Sequence, residues 1–187
     1  MTIEKTVVGY LSENCYLIKN NDKGLIVDPG DEIDKILDMI GDTKIEGILI
    51  THAHFDHIGA LEELEKKVNA PIFYRNINNE LNYDKLINIE EKEYVIGYFK
   101  FKVIYTPGHR NDSVTYYFYE DNIMFTGDFL FYLSIGRTDL KYADKNDMIR
   151  SIKLIKTYPD NITIYPGHGT KTNLGFEKQY NNYLIQI

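Results

Sequence analysis

The stretch Thr51-His52-Ala53-His54-Phe55-Asp56-His57 concentrates side chains that could bind a metal ion, because three histidines and one aspartate fall within residues 52–57. Neutral imidazoles and carboxylates are the ligands that suit zinc, and they also suit iron and manganese. A lone histidine is more often a packed or solvent-facing residue, but that interpretation fails for a set this dense. The stretch therefore predicts a metal site.

The remaining histidines and one further aspartate follow β-like runs in the same way. The chain has five histidines, and the two outside the motif, His109 and His168, each stand in a Pro-Gly-His turn after such a run. Asp128 follows the apolar run at 122–125. Open α/β sheets bind ligands outside the carboxyl ends of their strands. We therefore expect these three residues to join the motif at one site.

The hydrophobic pattern predicts an α/β protein. The apolar run at 45–50 predicts a buried strand before the motif, and apolar residues at three- and four-residue steps from Ile58 to Val68 predict an amphipathic helix after it. Residues 75–89 are polar, with at most a short helix. Further strands are predicted at 3–10, 15–20, 24–28, 71–74, 94–105 (broken near Gly97), 114–120, 122–126 and 161–165, and further helices at 31–41, 144–157 and about 173–185.

Length and composition limit the class of protein. The 187 residues allow one domain, 1–187, with a substantial core. A net charge of −7 argues against a nucleic-acid-binding surface, which needs a basic stripe. The single Cys15 cannot form an intrachain disulfide, and we find neither a signal peptide nor an apolar run of the roughly 18 residues that a membrane span needs. We expect a cytoplasmic protein that acts on a small molecule, without a membrane or nucleic-acid partner.

The motif His-x-His-x-Asp-His with a distant His, Asp and His resembles the signature of the metallo-β-lactamase superfamily, and the likeness runs from Asp28-Pro29-Gly30 to the Pro-Gly-His turn at His168. The resemblance implies a four-layer αβ/βα sandwich with two divalent metal ions, with Zn²⁺ as the leading candidate and Fe or Mn as alternatives. It implies that Asp28 orients a ligand, and that Asp56 and Asp128 are catalytic. By resemblance, the first ion is held by His52, His54 and His109, the second by Asp56, His57 and His168, and Asp128 bridges them.

Within the superfamily, the chain resembles the short bacterial form of the glyoxalase II-like (hydroxyacylglutathione hydrolase-like) branch. Zinc β-lactamases often have a cysteine near the bridging position, where this chain has Asp128, and RNase Z-type nucleases need a surface for RNA. The resemblance implies thioester hydrolysis by a metal-bridging hydroxide, with S-D-lactoylglutathione as the leading substrate. It also makes Arg137 a candidate anchor for a glutathione carboxylate.

Two features of the sequence depart from this branch and leave alternatives open. Only 19 residues follow His168, whereas full-length glyoxalase II carries a further helical domain there, and Arg110 stands where many relatives have threonine. One alternative is a mononuclear iron oxidoreductase of the persulfide dioxygenase type. Others are a lactonase or another hydrolase of the same fold, and a non-catalytic binding protein. The acyl group and the thiol carrier are not determined by the sequence.

Overall fold

The computed structural model describes residues 1–187 and contains two six-stranded sheets with helices on their outer faces. The strands in chain order are β1 (Thr2–Val8), β2 (Glu13–Asn20), β3 (Lys23–Val27), β4 (Lys44–Leu49), β5 (Ile72–Tyr74), β6 (Leu86–Asn88), β7 (Glu93–Ile96), β8 (Phe99–Tyr105), β9 (Val114–Phe118), β10 (Ile123–Gly127), β11 (Leu130–Phe131), β12 (Ser134–Ile135), β13 (Thr163–Pro166) and β14 (Thr172–Asn173). The helices are α1 (Ile33–Ile40), α2 (Phe55–Ile58), α3 (Leu61–Val68), α4 (Lys145–Ile155), α5 (Leu174–Tyr180) and α6 (Asn182–Ile185).

The first sheet has the strand order β1-β2-β3-β4-β5-β6. Its first three strands form an antiparallel meander, and β3 to β6 then run parallel to one another. Parallel neighbours end at the same edge of a sheet, so the residues that follow β3 and β4 lie side by side. This register brings Asp28 next to the motif that begins at Thr51.

The second sheet has the strand order β14-β13-β10-β9-β8-β7. The strands β7 to β10 are antiparallel neighbours, and β13 runs parallel to β10 after a crossover through α4. As a result β8, β10 and β13 all end at one edge. His109, Asp128 and His168 follow those three strands, which puts them at that edge together.

Three apolar cores separate four layers of structure. Along β2, Cys15 and Leu17 pack under the helices α1 and α3, whereas Tyr16 and Ile18 point into the space between the two sheets. A third core lies between the second sheet and α4 to α6, with Ile152 at its centre. Side chains alternate between the faces of a strand, so central strands that are covered on both faces, such as β2 and β3, bury nearly every position. The predicted four-layer αβ/βα sandwich is confirmed.

The helix predicted after the motif is divided into α2 and α3 at Gly59-Ala60. At the break, the Ala60 backbone N–H donates to the Pro29 carbonyl at 3.0 Å instead of continuing the helix. A Cβ atom on Gly59 would stand 2.3 Å from the Gly30 carbonyl oxygen, so only glycine permits this approach. The division locks the motif against the loop that follows β3.

Residues 75–89 contain no helix. The side chain of Asn76 instead organises the segment, because it accepts from the Glu80 and Leu81 backbone N–H groups at 3.0 and 3.3 Å and donates to the Leu81 carbonyl at 2.8 Å. Such side-chain bonds offer the backbone an alternative to helical pairing. The segment ends in the short strand β6.

The predicted final helix is also two helices, and it supports a hairpin that no pattern indicated. Asn181 breaks the helix, caps α6 through the Tyr183 N–H at 3.0 Å, and donates to buried Glu177 at 2.8 Å. Glu177 in turn accepts from the Leu133 N–H at 2.9 Å, in the turn between β11 and β12. None of the helices is both long and apolar enough to cross a lipid bilayer.

Candidate metal centre

The seven predicted ligand residues converge at one edge of the sandwich. His52 and His54 follow β4, Asp56 and His57 lie in α2, and the other three follow β8, β10 and β13. Five of them, all except the fully buried His52 and His57, line an open cavity of about 490 Å³. Its lining comprises Tyr10, Leu11, His54, Phe55, Asp56, His109, Asp128, Arg137, Leu140 and His168.

Three histidines form a first group whose ring nitrogens face one another. His54 Nδ1 lies 3.1 Å from His52 Nε2 and 2.9 Å from His109 Nε2. The three nitrogens all lie within 4.8 Å of one another. At this spacing, all three imidazoles could bind one ion.

A second group combines Asp56, His57 and His168, whose ligand atoms also lie within 4.8 Å of one another. His168 Nε2 is 3.3 Å from Asp56 Oδ2, and His57 Nε2 is 3.9 Å from the same oxygen. This group has one more carboxylate than the first. It therefore offers a harder set of donors to a cation.

Asp128 faces both groups at once. Its Oδ2 lies 3.4 Å from His109 Nε2, in the first group. Its Oδ1 lies 3.3 Å from His57 Nε2 and 3.6 Å from His168 Nε2, in the second group. A carboxylate with one oxygen directed at each group is placed as a bridging ligand would be.

Asp28 and Thr51 hold the two most buried histidines from behind. The Asp28 carboxylate accepts from the Thr51 N–H at 2.7 Å, from the Thr51 hydroxyl at 2.6 Å and from His57 Nδ1 at 2.9 Å. The Thr51 hydroxyl gives its proton to Asp28, so its oxygen accepts from His52 Nδ1 at 3.0 Å. Both histidines thus carry a proton on Nδ1 and direct Nε2 toward the centre as the nitrogen available to an ion.

Backbone carbonyls orient two further histidines in the same manner. His109 Nδ1 donates to the Arg137 carbonyl at 2.9 Å, and His168 Nδ1 donates to the Leu11 carbonyl at 3.1 Å. In each ring Nε2 is then the nitrogen available to an ion. Four of the five histidines are therefore fixed in the tautomer that binds metal.

The first group is electrostatically suited to remain neutral. Burial, with repulsion from His57 and His109, holds the pKa of His52 well below its usual range, and burial with repulsion from His109 lowers the pKa of His54 to about 4. Burial also lowers the pKa of His109. Neutral imidazole is the form that binds a metal ion.

The second group attracts positive charge. Burial alone would lower the pKa of His57, but the carboxylates of Asp128 and Asp28 together outweigh it and raise that pKa well above its usual value. The pKa of His168 is raised in the same way, against the effect of burial, by its hydrogen bond to Asp56 and by Asp128. Burial would raise the pKa of Asp128, yet His57 holds it at about 2. Without an ion, protons on His57 and His168 supply the positive charge that a cation would otherwise bring to this group.

The orphaned polar atoms and the space around them fit metal ions. His57 Nε2 and Asp128 Oδ1 are buried and have no hydrogen-bond partner. A Cβ atom on Gly167 would lie 2.5 Å from Asp128 Oδ1 and 2.6 Å from His57 Cε1, so glycine leaves this space open. Buried polar atoms are rarely left unpaired. The donor set therefore fits divalent cations at both groups.

Arg137 lies at the cavity, but its side chain is engaged elsewhere. The guanidinium makes a two-pronged ion pair with Asp139, at 2.7 Å from Nε and 2.9 Å from Nη2, and it is largely exposed. The backbone carbonyl of Arg137, not its side chain, contacts a proposed ligand, His109. A substrate carboxylate would have to share or replace the Asp139 contact.

Two buried groups near the centre were not identified from the sequence. Glu13 is fully buried 3.8 Å from His57 Nδ1, and neither of its carboxylate oxygens has a partner. Asp112 accepts from the Ala53 N–H inside the motif at 3.2 Å and is paired with Arg110. Glu13 stood in a predicted turn and Asp112 in a polar loop, so neither carried a pattern that would have distinguished it.

The sequence matches one protein family and is similar to bacterial proteins along almost its whole length. The model of the metallo-beta-lactamase superfamily matches residues 8–80 and 81–168. The chain is 35% identical to the probable metallo-hydrolase YqgX of Bacillus subtilis, over 95% of this chain and 94% of that protein. It is 31% identical to the hydroxyacylglutathione hydrolase GloC of Haemophilus influenzae, over 98% of each chain.

Three solved structures are similar over nearly the whole chain. The BLEG-1 B3 metallo-beta-lactamase has a TM-score of 0.90 at 31% identity, covering 98% of this chain and 99% of that one. TTHA1623 in a di-iron-bound form has a TM-score of 0.85 at 32% identity, covering 96% and 99%. ETHE1 from Myxococcus xanthus has a TM-score of 0.89 at 28% identity, covering 100% and 85%.

Proposed function

The chain belongs to the metallo-beta-lactamase superfamily, and from that premise we propose that it is a binuclear metal-dependent hydrolase that cleaves a thioester. The first ion would be held by three histidines, the second by a mixed group, and Asp128 would bind both. The proposed ligands of the first ion are His52, His54 and His109. Those of the second ion are Asp56, His57 and His168.

The position of Asp128 carries the proposal. One of its oxygens faces each ligand group, at 3.4 and 3.3 Å from the nearest histidine nitrogens. A single ion would use only about half of the seven proposed ligand residues, because structural and catalytic zinc ions take three or four protein ligands. Similarity to a protein in a di-iron-bound form supports two ions and makes iron, beside zinc and manganese, a candidate.

The reaction is the addition of water to a thioester carbonyl. When bound, the ions would supply an activated water and Lewis acidity, because a divalent ion lowers the pKa of its water from about 15.7 toward 7. A carbon–oxygen bond forms at the acyl carbon, the carbon–sulfur bond breaks, and the products are a carboxylic acid and a thiol. Asp56 and Asp128 face the cavity and can accept hydrogen bonds from the attacking water.

The leading substrate in this proposal is S-D-lactoylglutathione. It is supported by similarity to the hydroxyacylglutathione hydrolase GloC over almost the full length of both chains. Arg137, at the rim of the cavity, would pair with a carboxylate of the thiol carrier. The single domain and the cytoplasmic location remain predictions of the sequence.

A second candidate is an oxidoreductase of the persulfide dioxygenase type that uses one iron ion. The similarity to ETHE1 over the whole of this chain supports it. Hydrolysis of a lactone or a β-lactam is also compatible with the site, the latter because of the similarity to BLEG-1.

Metal analysis combined with a substrate panel tests the proposal. The purified protein, loaded with zinc, iron or manganese in turn, would be assayed with lactoylglutathione and other thioesters, a lactone, a β-lactam and glutathione persulfide. The proposal expects two ions per chain and thioester hydrolysis without oxygen uptake. One iron per chain with persulfide-dependent oxygen uptake would instead support the second candidate.

A further inference from the structure

Three large apolar side chains stand exposed at the mouth of the cavity. The exposed fraction is 81% for Tyr10, 60% for Phe55 and 44% for Leu11. The rings of Tyr10 and Phe55 are stacked, with centroids 6.1 Å apart and an angle of 17° between their planes. Scattered exposed apolar residues are ordinary, but a contiguous group beside a pocket marks a binding surface.

These three residues line two adjoining cavities. Each contributes to the 490 Å³ cavity over the metal centre and to a neighbouring cavity of about 220 Å³. The second cavity continues past Gly9 and Gly30, away from the histidines. A ligand whose reacting carbonyl lies at the metal centre would therefore extend along this apolar wall.

The turn that presents Tyr10 and Leu11 is built to hold them in place. Gly9 and Ser12 adopt left-handed φ values of 65° and 57°, and the Ser12 N–H donates to the Gly9 carbonyl at 3.1 Å. The Gly9 N–H donates to Glu32 at 3.0 Å, which ties the turn to the start of α1. The Leu11 carbonyl accepts from His168, so the turn and the metal centre share one hydrogen-bonded frame.

The smaller cavity has no cationic side chain in its lining, and its charged groups are the carboxylates of Asp31 and Asp56. The one cationic side chain other than histidine that lines the larger cavity is Arg137, and its guanidinium is paired with Asp139. The wall formed by Tyr10, Leu11 and Phe55 has no charged side chain of its own. Hydrocarbon surface is the chemistry that such a wall can bind.

We propose that Tyr10, Leu11 and Phe55 form a recognition surface for an apolar, aromatic acyl group of the substrate. The proposal rests on the thioesterase function given above and names its acyl specificity. A third ring inserted between Tyr10 and Phe55 would need about 7 Å, twice the roughly 3.5 Å contact of carbon atoms, and 6.1 Å is available. The acyl ring therefore packs against the stacked pair, not between its members.

Two thioesters that differ only in the acyl side chain test this surface. S-D-mandeloylglutathione and S-D-lactoylglutathione share the thiol and the 2-hydroxy group, and one carries a phenyl ring where the other has a methyl group. We expect the metal-loaded protein to favour the mandeloyl substrate at least about tenfold in kcat/KM, because even one methylene in an apolar pocket changes this ratio about 10- to 200-fold.

Serine variants identify the residues responsible. Tyr10→Ser and Phe55→Ser are each expected to reduce the mandeloyl-to-lactoyl ratio about fivefold or more. Tyr98→Ser is the matched control, because Tyr98 is also an exposed tyrosine, at 62%, but lines a different cavity next to Phe118 and Glu120. The control ratio should equal that of the unchanged protein.

Equilibrium binding of the two acids separates this inference from the proposed function. Mandelate and lactate, the products of the two reactions, would be titrated into the metal-loaded protein and into the Tyr10→Ser variant by calorimetry. If neither thioester is cleaved but mandelate binds at least tenfold more tightly and loses that advantage in the variant, the thioesterase proposal fails and the apolar surface stands. Equal binding of the two acids, or a mandelate preference that survives in the Tyr10→Ser variant, overturns the inference.

Discussion

Replacing Asp28 by asparagine should reverse the tautomer of His57. The carboxylate accepts from His57 Nδ1 at 2.9 Å and from both the N–H and the hydroxyl of Thr51. An asparagine that keeps its oxygen on the Thr51 N–H turns an NH₂ group toward His57. The ring then has to accept at Nδ1 and carry its proton on Nε2, which faces Asp128 and could no longer bind an ion.

The backbone should tolerate this substitution. Asp28 has a left-handed φ of 50°, and asparagine adopts that conformation as readily as aspartate. The opposite amide orientation would set the NH₂ group against the Thr51 N–H and leave two buried donors unpaired, at a cost of about 1–3 kcal/mol. The tautomer change is therefore the milder of the two outcomes.

The expected loss is 10- to 100-fold in affinity for one ion, the range found when partners behind a metal-binding histidine are removed. That range corresponds to about 1.4–2.7 kcal/mol of binding free energy. The ion in the group of His52, His54 and His109 should lose less affinity, because His52 reaches Asp28 only through the Thr51 hydroxyl, whose oxygen can still accept from His52 Nδ1. Asp28→Asn should thus produce one tight and one weak site in each chain.

Competition with a chromophoric chelator measures both binding steps, and thermal unfolding of the metal-free proteins checks the fold. Asp31→Asn is the matched control, because Asp31 is an exposed aspartate three residues away that accepts only from the neighbouring Glu32 N–H among the hydrogen bonds of the chain. Unchanged affinity for both ions in Asp28→Asn would refute the tautomer argument. An equal loss at both groups would also refute it, since it would show that Asp28 does not act through His57.

Three further outcomes are expected. Elemental analysis of the fully loaded protein should give two metal ions per chain, and a limit of one would contradict the binuclear proposal. Asp128→Ala and His54→Ala should abolish turnover, whereas Cys15→Ala should retain it in a folded protein, because Cys15 is buried in the core under α1 and α3 and faces no cavity. Arg137→Ala should raise KM for S-D-lactoylglutathione about tenfold with kcat little changed, as expected for one charge-assisted contact of about 1.5–3 kcal/mol, and a thioester without carboxylates should be unaffected. Equal losses on both substrates would exclude Arg137 as the carboxylate anchor.

The sequence predicted the convergence of the seven residues because that convergence follows from chain-local rules. Five of them lie in loops that follow strands, Asp56 and His57 lie in the helix that opens after one of those loops, and strands of one direction end at the same edge of a sheet. His109 and His168 are 59 residues apart in sequence, yet the short apolar runs before them were sufficient to assign both to that edge. The position of Asp28 beside His57 was implied by family resemblance alone.

What the sequence did not predict depends on contacts between distant segments. The carbonyls of Leu11 and Arg137 orient two histidines, but every residue has a carbonyl, so residue identity carries no sign of that role. The hairpin β11–β12 has only two residues per strand, and it is held by Glu177 from the far end of the chain. The pairing of Arg137 with Asp139 is local in sequence, but no pattern indicated it, and it changes what a free arginine would offer to a substrate.

The distribution of the ligand groups over the two sheets has a consequence for synthesis and unfolding of the chain. Each group takes two residues from the first sheet's half, such as His52 and His54, and one from the second, His109 or His168. The first group cannot close until β8 has docked with His109, and the second cannot close until β13 has emerged from the ribosome and docked with His168, so ion capture follows association of the halves. An interaction formed that late stabilises the native state more than the folding transition state. Bound metal should therefore slow the separation of the two halves during unfolding. It should leave unchanged the rate at which the halves associate during folding.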